Sequence, residues 1–281
     1  MPFDPKPTKY PFPEITDRHY LVVKKDRGIK IDKDYPYLDR SLGLRIAQAF
    51  TRLGLTLIAF PVSIIYIGLR IKGRENIRKH REILKNGVIS CSNHVHMWDF
   101  ISVRKAVRHF NPNLLAWDRN LNGENGTLIK LVGGIPIPVN DLKASTVFLR
   151  VTENLLMDKG WLHIYAEGSM WEYYQPIRPF KPGIGYYSVK TGKPVLPLGF
   201  SYRDPSWIRK NIFRQPAAIT LTVGEPLYPD TSLPKSEREK DLIIRCHREV
   251  CRLAGIDPDE NIYPPVFDNT KRIDYYPLEA N

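Results

Sequence analysis

Cysteine is scarce in this sequence and forms an odd set of three residues, Cys91, Cys246 and Cys251. These residues have neither the even number of a disulfide framework nor the spacing of a zinc site. The set therefore predicts no metal centre and favours a reducing compartment. The first five residues also lack the cationic start and apolar core of a secretory signal, so we expect none.

Two common enzyme motifs are missing as well. The glycines of residues 133–138 do not form a G-x-G-x-x-G that opens a helix, which argues against a dinucleotide site. The sequence has no G-x-S-x-G nucleophile elbow. Of the functions considered below, a hydrolase in which a histidine activates water is therefore the least favoured.

Positive charge is abundant, with a net charge of +12, and its distribution along the sequence indicates which kind of partner the protein binds. Residues 53–69 form a run of 17 residues without a charge, interrupted by Pro61, and residues 70–85 then carry seven cations and two anions. A spanning helix needs about 20 apolar residues, so the run is at the lower limit. A basic segment after an apolar anchor is typical of contact with anionic lipids and not of nucleic-acid binding.

Residues 41–51, which precede this run, have the amphipathic pattern of a surface helix. We interpret residues 38–70 as a helical hairpin that lies in or dips into one leaflet of a membrane. A buried helix of the soluble core is the main alternative, and a single membrane span is the weaker one.

From residue 86 onward, apolar runs alternate with helical patterns, which predicts an α/β fold with a mixed, mostly parallel sheet flanked by helices. The predicted strands are 87–92, 113–117, 135–138, 161–166, 194–200 and 217–223. The predicted helices are 95–110, 125–131, 141–159, 183–191 and 235–253.

The same patterns divide the chain into four parts. We expect an N-terminal arm over residues 1–37, the membrane-anchoring hairpin over 38–70, a catalytic domain over 71–255 and a C-terminal tail over 256–281. The arm and the tail are rich in proline, tyrosine and charge and lack clear periodicity.

The most informative motif follows the first predicted strand of the sheet, where His94 precedes Asp99 by five residues. Five steps of an ideal helix leave two side chains about 140° apart, so the pair cannot meet within one helix. They can meet if the strand ends near Ser92, His94 lies on a turn and the helix begins near Val95 or His96. A histidine oriented by a carboxylate can remove the proton of a hydroxyl group, as an enzyme that transfers a group to an alcohol requires.

A second polar set follows the predicted strand 161–166. Glu167, Gly168 and Ser169 lie where ligands collect in open α/β sheets, and they can hold a polyol by hydrogen bonds. Further along, Arg178 and Lys181 can contact a phosphate group. Neighbouring side chains have supporting or packing roles: Asn93 and His96 beside the proposed base, and His163 in the core.

These elements, in this order, resemble the glycerolipid acyltransferase family that includes the 1-acylglycerol-3-phosphate acyltransferases. The family carries Asn-His-x4-Asp, a glycine-rich Ile-Pro block, a Glu-Gly-Thr/Ser-Arg block and an apolar proline block. In this sequence the blocks are Asn93 to Asp99, residues 133–138, Glu167 to Ser169, and residues 180–183 followed by 194–197. The resemblance covers roughly residues 85–225.

The resemblance implies transfer of an acyl group from a thioester, acyl-CoA or acyl carrier protein, to a glycerol-type lipid hydroxyl in phospholipid biosynthesis. His94 would be the general base and Asp99 would orient it, while Glu167, Gly168, Ser169, Arg178 and Lys181 would bind the acceptor. It implies no cofactor beyond the thioester co-substrate. It places the enzyme at the cytoplasmic face of a membrane, with lipid acceptors and anionic lipids as its partners.

Two departures from the family pattern leave the acceptor open. Met170 follows Glu-Gly-Ser where the family has arginine, and Val139 stands near the end of the glycine-rich block where an arginine is common. Both arginines are associated with the acceptor phosphate. A different lipid or glycolipid alcohol is therefore an alternative acceptor, and a non-catalytic lipid-binding protein is an alternative function.

Overall fold

A computed structural model describes residues 3–5, 10–21, 23 and 26–271 of the chain. In this part of the chain, seven strands form one sheet in the order β1-β7-β6-β2-β5-β3-β4, in which only the β6–β7 pair is antiparallel. The strands are β1 Arg70–Lys72, β2 Val88–Ser92, β3 Pro112–Trp117, β4 Gly134–Ile137, β5 Trp161–Tyr165, β6 Val195–Arg203 and β7 Ala218–Val223. The predicted mixed, mostly parallel sheet is confirmed.

Helices cover both faces of this sheet. They are α1 Leu42–Tyr66, α2 Arg74–Lys79, α3 Arg81–Leu84, α4 Asp99–Ala106, α5 Asp118–Asn122, α6 Gly126–Leu131, α7 Leu142–Met157, α8 Gly183–Thr191, α9 Trp207–Asn211 and α10 Lys235–Ala254. The apolar side chains of α7, α8 and α10 form one core with one face of the sheet, whereas α2, α3 and α4 pack on the other. Because both faces are covered, all five residues of β2 are buried.

The central strands end at the same edge of the sheet. Ser92, the last residue of β2, pairs with Tyr165 at the end of β5 and with Leu198 in β6. The loops that follow β2 and β5 therefore leave the sheet side by side. This register brings residues 93–98 next to residues 166–171.

The apolar N-terminal region forms a single helix, which corrects the expected hairpin. Helix α1 is continuous over its 25 residues, and Gly54 has helical dihedral angles where a hairpin would require a turn. Pro61 lacks the N–H group for a helical hydrogen bond, and the helix accommodates it with a π-helical turn over Leu55–Ala59. Only 11% of the most apolar window of α1 is buried, so the alternative of a core helix does not hold.

The other differences between the predicted and the observed elements each involve only a few residues. The pattern of residues 70–72 did not predict β1, because its three residues include two cations and pair only at the sheet edge with β7. The predicted helix 95–110 is shorter and begins at Asp99. The four predicted domain boundaries stay a prediction, and residues 272–281 of the expected tail lie outside the described residues.

Candidate active site

The turn after β2 brings His94 and Asp99 together. Strand β2 ends at Ser92, residues 93–98 are not helical, and α4 begins at Asp99. His94 Nδ1 lies 2.9 Å from Asp99 Oδ2, as the spacing of the motif predicts. The imidazole is partly exposed, with 21% of its side-chain surface accessible, whereas the carboxylate is buried. Because Nδ1 donates its hydrogen to Asp99, Nε2 carries the lone pair that can accept a proton.

Asp99 also holds the backbone of the turn. Its Oδ2 atom accepts hydrogen bonds from the N–H groups of Val95, at 2.7 Å, and His96, at 3.0 Å. The carboxylate lies in the first turn of α4, where the helix dipole favours a negative charge. One carboxylate therefore sets both the path of the chain around His94 and the orientation of its ring.

Tyr165 fixes the plane of the imidazole. Its ring stacks on that of His94, with centroids 3.8 Å apart and an interplanar angle of 11°. Burial raises the pKa of the Tyr165 hydroxyl well above its usual value, so the group stays neutral. The motifs in the sequence do not single out Tyr165, although its place at the end of β5, two residues before Glu167, is a usable signal.

Glu167 supports His94 from the neighbouring loop. Its Oε2 atom accepts the backbone N–H of His94 at 2.8 Å, and its Oε1 atom accepts the backbone N–H of Arg178 at 2.8 Å. The Arg178 guanidinium donates to Oε2 at 2.9 Å, and both side chains are buried. The carboxylate predicted to bind an acceptor is thus already fully engaged with the protein.

The two terminal nitrogens of the Arg178 guanidinium are also bonded to the protein. Besides Glu167, its guanidinium donates to the hydroxyl of Ser169 at 2.6 Å and to the carbonyl of Ser169 at 2.5 Å. It also lies 4.3 Å from the centre of the Trp171 ring. With 1% of its side chain exposed, Arg178 holds the Glu167–Ser169 loop in place, and its role in acceptor binding stays a prediction.

Gly168 and Lys181 are in contact at the outer side of this loop. Gly168 has a φ of +81°, and a Cβ atom there would lie 2.6 Å from Lys181 Cε, so a larger residue would displace the lysine. The Lys181 ammonium pairs with Asp17 at 3.1 Å and lies 4.3 Å from the centre of the Phe267 ring. Its side chain is one-third exposed, which makes it the accessible cation of the predicted acceptor set.

The N-terminal arm covers this side of the site, which the sequence did not predict. The carbonyl of Thr16 accepts from Arg178 at 2.9 Å, and that of Arg18 accepts from the Trp171 indole at 2.9 Å. The imidazole of His19 stacks on Trp117, with ring centroids 4.1 Å apart. Burial, reinforced by the positive charges of nearby side chains including Lys181 and Arg178, lowers the pKa of His19 to about 4.

The remaining predicted residues have structural partners. The side-chain amide of Asn93 donates to the carbonyl of Phe200 and accepts from its N–H, joining the turn to β6. His96 is buried and its Nδ1 accepts from the N–H of Trp98, while burial lowers its pKa. His163 lies in the core as predicted, bonded to Ser90, and burial lowers its pKa to about 3.

A cavity of about 680 Å³ opens on the other side of the turn. Its walls come from the end of α1, from the turn itself, and from residues 172–173 and 214–216. Within the described ranges, no group of three or more histidine, cysteine or acidic side chains has an arrangement that could hold a metal ion. The geometry thus offers a histidine held by a carboxylate, on a turn whose residues 96–98 line this cavity.

Comparison with known proteins identifies one matching family model and similar solved structures. Residues 68–201 match the family model described as Acyltransferase, and these residues include His94, Asp99 and Glu167 to Ser169. No curated protein matches the chain. Among solved structures, the chain is similar to the 1-acyl-sn-glycerophosphate (LPA) acyltransferase PlsC from Thermotoga maritima, at 20% identity and a TM-score of 0.47. The similarity covers 77% of this chain and 85% of that one. The family match agrees with the resemblance seen in the motifs: residues 68–201 of this chain are similar to the acyltransferase family.

Proposed function

We propose that this acyltransferase moves a fatty acyl group from a thioester donor, acyl-CoA or acyl carrier protein, to the hydroxyl of a glycerol-type lipid in phospholipid biosynthesis. The observation that carries the proposal is the 2.9 Å contact between His94 Nδ1 and the buried carboxylate of Asp99. This contact leaves Nε2 as a base on the accessible side of the imidazole. The thioester is a co-substrate, and the proposal includes no resident cofactor.

The reaction follows from this pair. His94 Nε2 takes the proton of the acceptor hydroxyl as its oxygen attacks the thioester carbonyl, and the negative charge of Asp99 stabilises the imidazolium that forms. The C–O bond forms, the C–S bond breaks, and the proton passes from His94 to the departing thiolate. The hydroxyl attacks the thioester directly, so the mechanism needs no acyl-enzyme intermediate.

Lys181 is the side chain we assign to the acceptor headgroup. It lies against Gly168 beside the Glu167–Ser169 loop, and it is partly exposed. In the structure its charge is already paired with Asp17 of the arm. An acceptor with a phosphate would compete with the Asp17 carboxylate for the lysine.

The same ion pair favours a second candidate acceptor. Because Asp17 is paired with Lys181 and Met170 replaces the family arginine, a lipid or glycolipid alcohol without a phosphomonoester could bind without displacing the Asp17 carboxylate. Tyr174 is partly exposed and lies against Tyr10 of the arm, and aromatic rings of this kind stack on sugars. A panel of acceptors with and without a phosphomonoester separates these two candidates.

We also propose that the enzyme is associated with the cytoplasmic face of a membrane through α1. The helix is long and apolar enough to cross a bilayer, and its exposed side chains include Phe50, Leu57 and Ile58. The basic residues 70–85 directly follow it and would contact anionic lipids. The length and composition of one helix support membrane contact and leave open whether α1 spans the bilayer or lies in its interface.

The test is release of free thiol from acyl-CoA in the presence of lyso-lipid acceptors, with mass spectrometry of the acylated product. We expect His94→Ala to lower the rate at least a hundredfold, a loss of about 3 kcal/mol of transition-state stabilisation. His109→Ala, which changes an exposed histidine, is the matched control and should keep full activity.

Equal activity of His94→Ala and wild type would refute the proposal. Release of free fatty acid in place of an acylated lipid would favour a hydrolase. A wild-type protein that binds lipid and releases no thiol with either donor would indicate the non-catalytic alternative.

A further inference from the structure

The loop after β6 presents a small amphipathic surface to solvent. Helix α9 and the residue that follows it carry three exposed apolar side chains, with 71% of Trp207, 52% of Ile208 and 60% of Ile212 accessible. Large apolar residues are costly to expose together, and a cluster of them in a soluble region indicates an interaction surface. The acyltransfer site does not use these three residues.

Helix α9 is fixed to the end of α1. The Arg209 guanidinium donates to the carbonyls of Ile64, at 3.0 Å, and Ile65, at 3.1 Å. These carbonyls belong to the last turn of α1, where a helix leaves acceptors without partners. The aromatic rings of Tyr66 and Phe213 add a contact, with centroids 5.5 Å apart. The exposed apolar residues of α9 therefore continue the exposed apolar surface of α1, which includes Ile65.

The charges around this surface are those of a lipid-binding segment. Residues 203–214 carry four cations and one anion, and Lys210 and Arg214 are both exposed. Tryptophan and isoleucine beside lysine and arginine are typical of helices that lie at the boundary between head groups and acyl chains. A net positive charge favours the anionic leaflet of a membrane over a neutral one.

The cavity next to the His94 turn opens between the same two elements. Val62 and Tyr66 of α1 form one part of its wall, and Arg214 and Gln215 after α9 form another. His96 and Met97 of the turn line it as well, and 60% of Met97 is exposed. A bilayer in contact with α1 and α9 would thus face the mouth of a cavity that reaches the turn carrying the proposed base.

We propose that the segment Trp207–Arg214 is a second membrane-contacting element, which docks on an anionic bilayer beside α1 and holds the cavity mouth against the lipid surface. The inference rests on the proposed contact of α1 with a membrane and does not depend on the acyl transfer reaction. Its occupant is a bilayer leaflet, and a second copy of the chain or another protein is a different outcome of the test.

The three native cysteines are buried, so a cysteine introduced at an exposed position can be labelled selectively. We would label full-length Ile208→Cys with a nitrobenzoxadiazole fluorophore and reconstitute it in vesicles of equimolar phosphatidylcholine and phosphatidylglycerol. Doxyl-labelled lipids should quench this fluorophore several-fold more strongly than one at Ser236→Cys. Ser236 is an exposed residue of α10, which packs on the other face of the sheet.

Equal quenching at the two positions would overturn the proposal. The proposal would also be overturned if the fluorophore at position 208 were shielded from water but not quenched by the doxyl-labelled lipids. That result would indicate that another protein, or a second copy of the chain, covers the segment. Lys210→Glu should reduce quenching at position 208 in the anionic vesicles and leave it unchanged in vesicles of phosphatidylcholine alone. Lys240→Glu, an exposed lysine of α10, is the matched control, and an equal effect of both substitutions would contradict the local charge argument.

The consequence for activity is tested separately. A triple variant with serine at positions 207, 208 and 212 should show a raised KM for an acceptor embedded in vesicles and an unchanged rate with a short-chain, monomeric lyso-lipid. A loss of both activities would indicate misfolding or a direct role in catalysis, against the proposal. If wild type acylates no lipid at all, the proposed function fails, whereas the quenching experiment still decides whether the segment contacts the bilayer.

Discussion

The contact between His94 and Asp99 makes a quantitative prediction for Asp99→Asn. The substitution keeps the size of the side chain and removes its charge, and the buried position of Asp99 limits screening by water. Opposite charges about 4 Å apart attract by about 4 kcal/mol at an effective dielectric constant of ~20. That attraction is lost from the imidazolium in the transition state, so we expect kcat/KM to fall roughly 10³-fold.

The measurement is thiol release from acyl-CoA at saturating donor, with the acceptor concentration varied. The loss should fall on kcat as well as on kcat/KM, because the charge acts on the imidazolium and not on the bound substrate. A variant that keeps more than about a tenth of the wild-type kcat/KM would refute the assignment of Asp99 as the partner of a general base, since catalysis by such a base supplies about 10²–10⁴-fold.

Loss of the fold must be separated from loss of chemistry. The asparagine carbonyl can still accept the N–H groups of Val95 and His96, so we expect only a modest change in the free energy of unfolding in urea. Glu172→Gln is a suitable control, because Glu172 Oε1 lies 3.8 Å from His96 Nε2 and does not contact His94. It should lose far less activity than Asp99→Asn.

Three further predictions address the surroundings of the site. Asn93→Ala should lower the free energy of unfolding in urea by about 2–4 kcal/mol, because it removes the side-chain partners of the buried N–H and carbonyl groups of Phe200. A loss well under 1 kcal/mol would contradict this prediction. Asp17→Asn should lower KM for an anionic lyso-lipid by up to about fivefold and leave KM for a neutral one unchanged, because it removes the carboxylate that competes with a phosphate for Lys181. Equal effects on both would count against a headgroup site there. Burial lowers the pKa of His247 to about 4, so below about pH 6.5 the unfolded chain binds a proton that the folded chain does not. The free energy of unfolding should therefore fall on acidification from pH 6.5 towards pH 4, by up to about 1.4 kcal/mol per pH unit. His247→Gln should flatten this part of the urea-unfolding profile, and an unchanged pH dependence would refute the assignment.

Local sequence pattern was sufficient to predict the central strands and the contact between His94 and Asp99. The apolar run before Ser92 predicted β2, and the five-residue spacing of His94 and Asp99 required a turn followed by a helix. Both predictions depend only on residues that are close together in the sequence, because periodicity and helix geometry act over a few residues. The pattern failed for α1, where the proline that suggested a hairpin was absorbed by one π-helical turn within a continuous helix.

The roles in the acceptor region were decided by the tertiary structure. Glu167 lies 73 positions from His94 and binds its backbone, and Arg178 lies 162 positions from Thr16 and donates to its carbonyl. Contacts between residues this far apart in the sequence depend on how the strands are ordered in the sheet, and no local sequence pattern predicts that order. The sequence alone determined which side chains we propose for acyl transfer. Only the folded chain determined that two of the expected acceptor ligands are buried as an ion pair, because burial of a charge requires partners that the fold brings from distant segments.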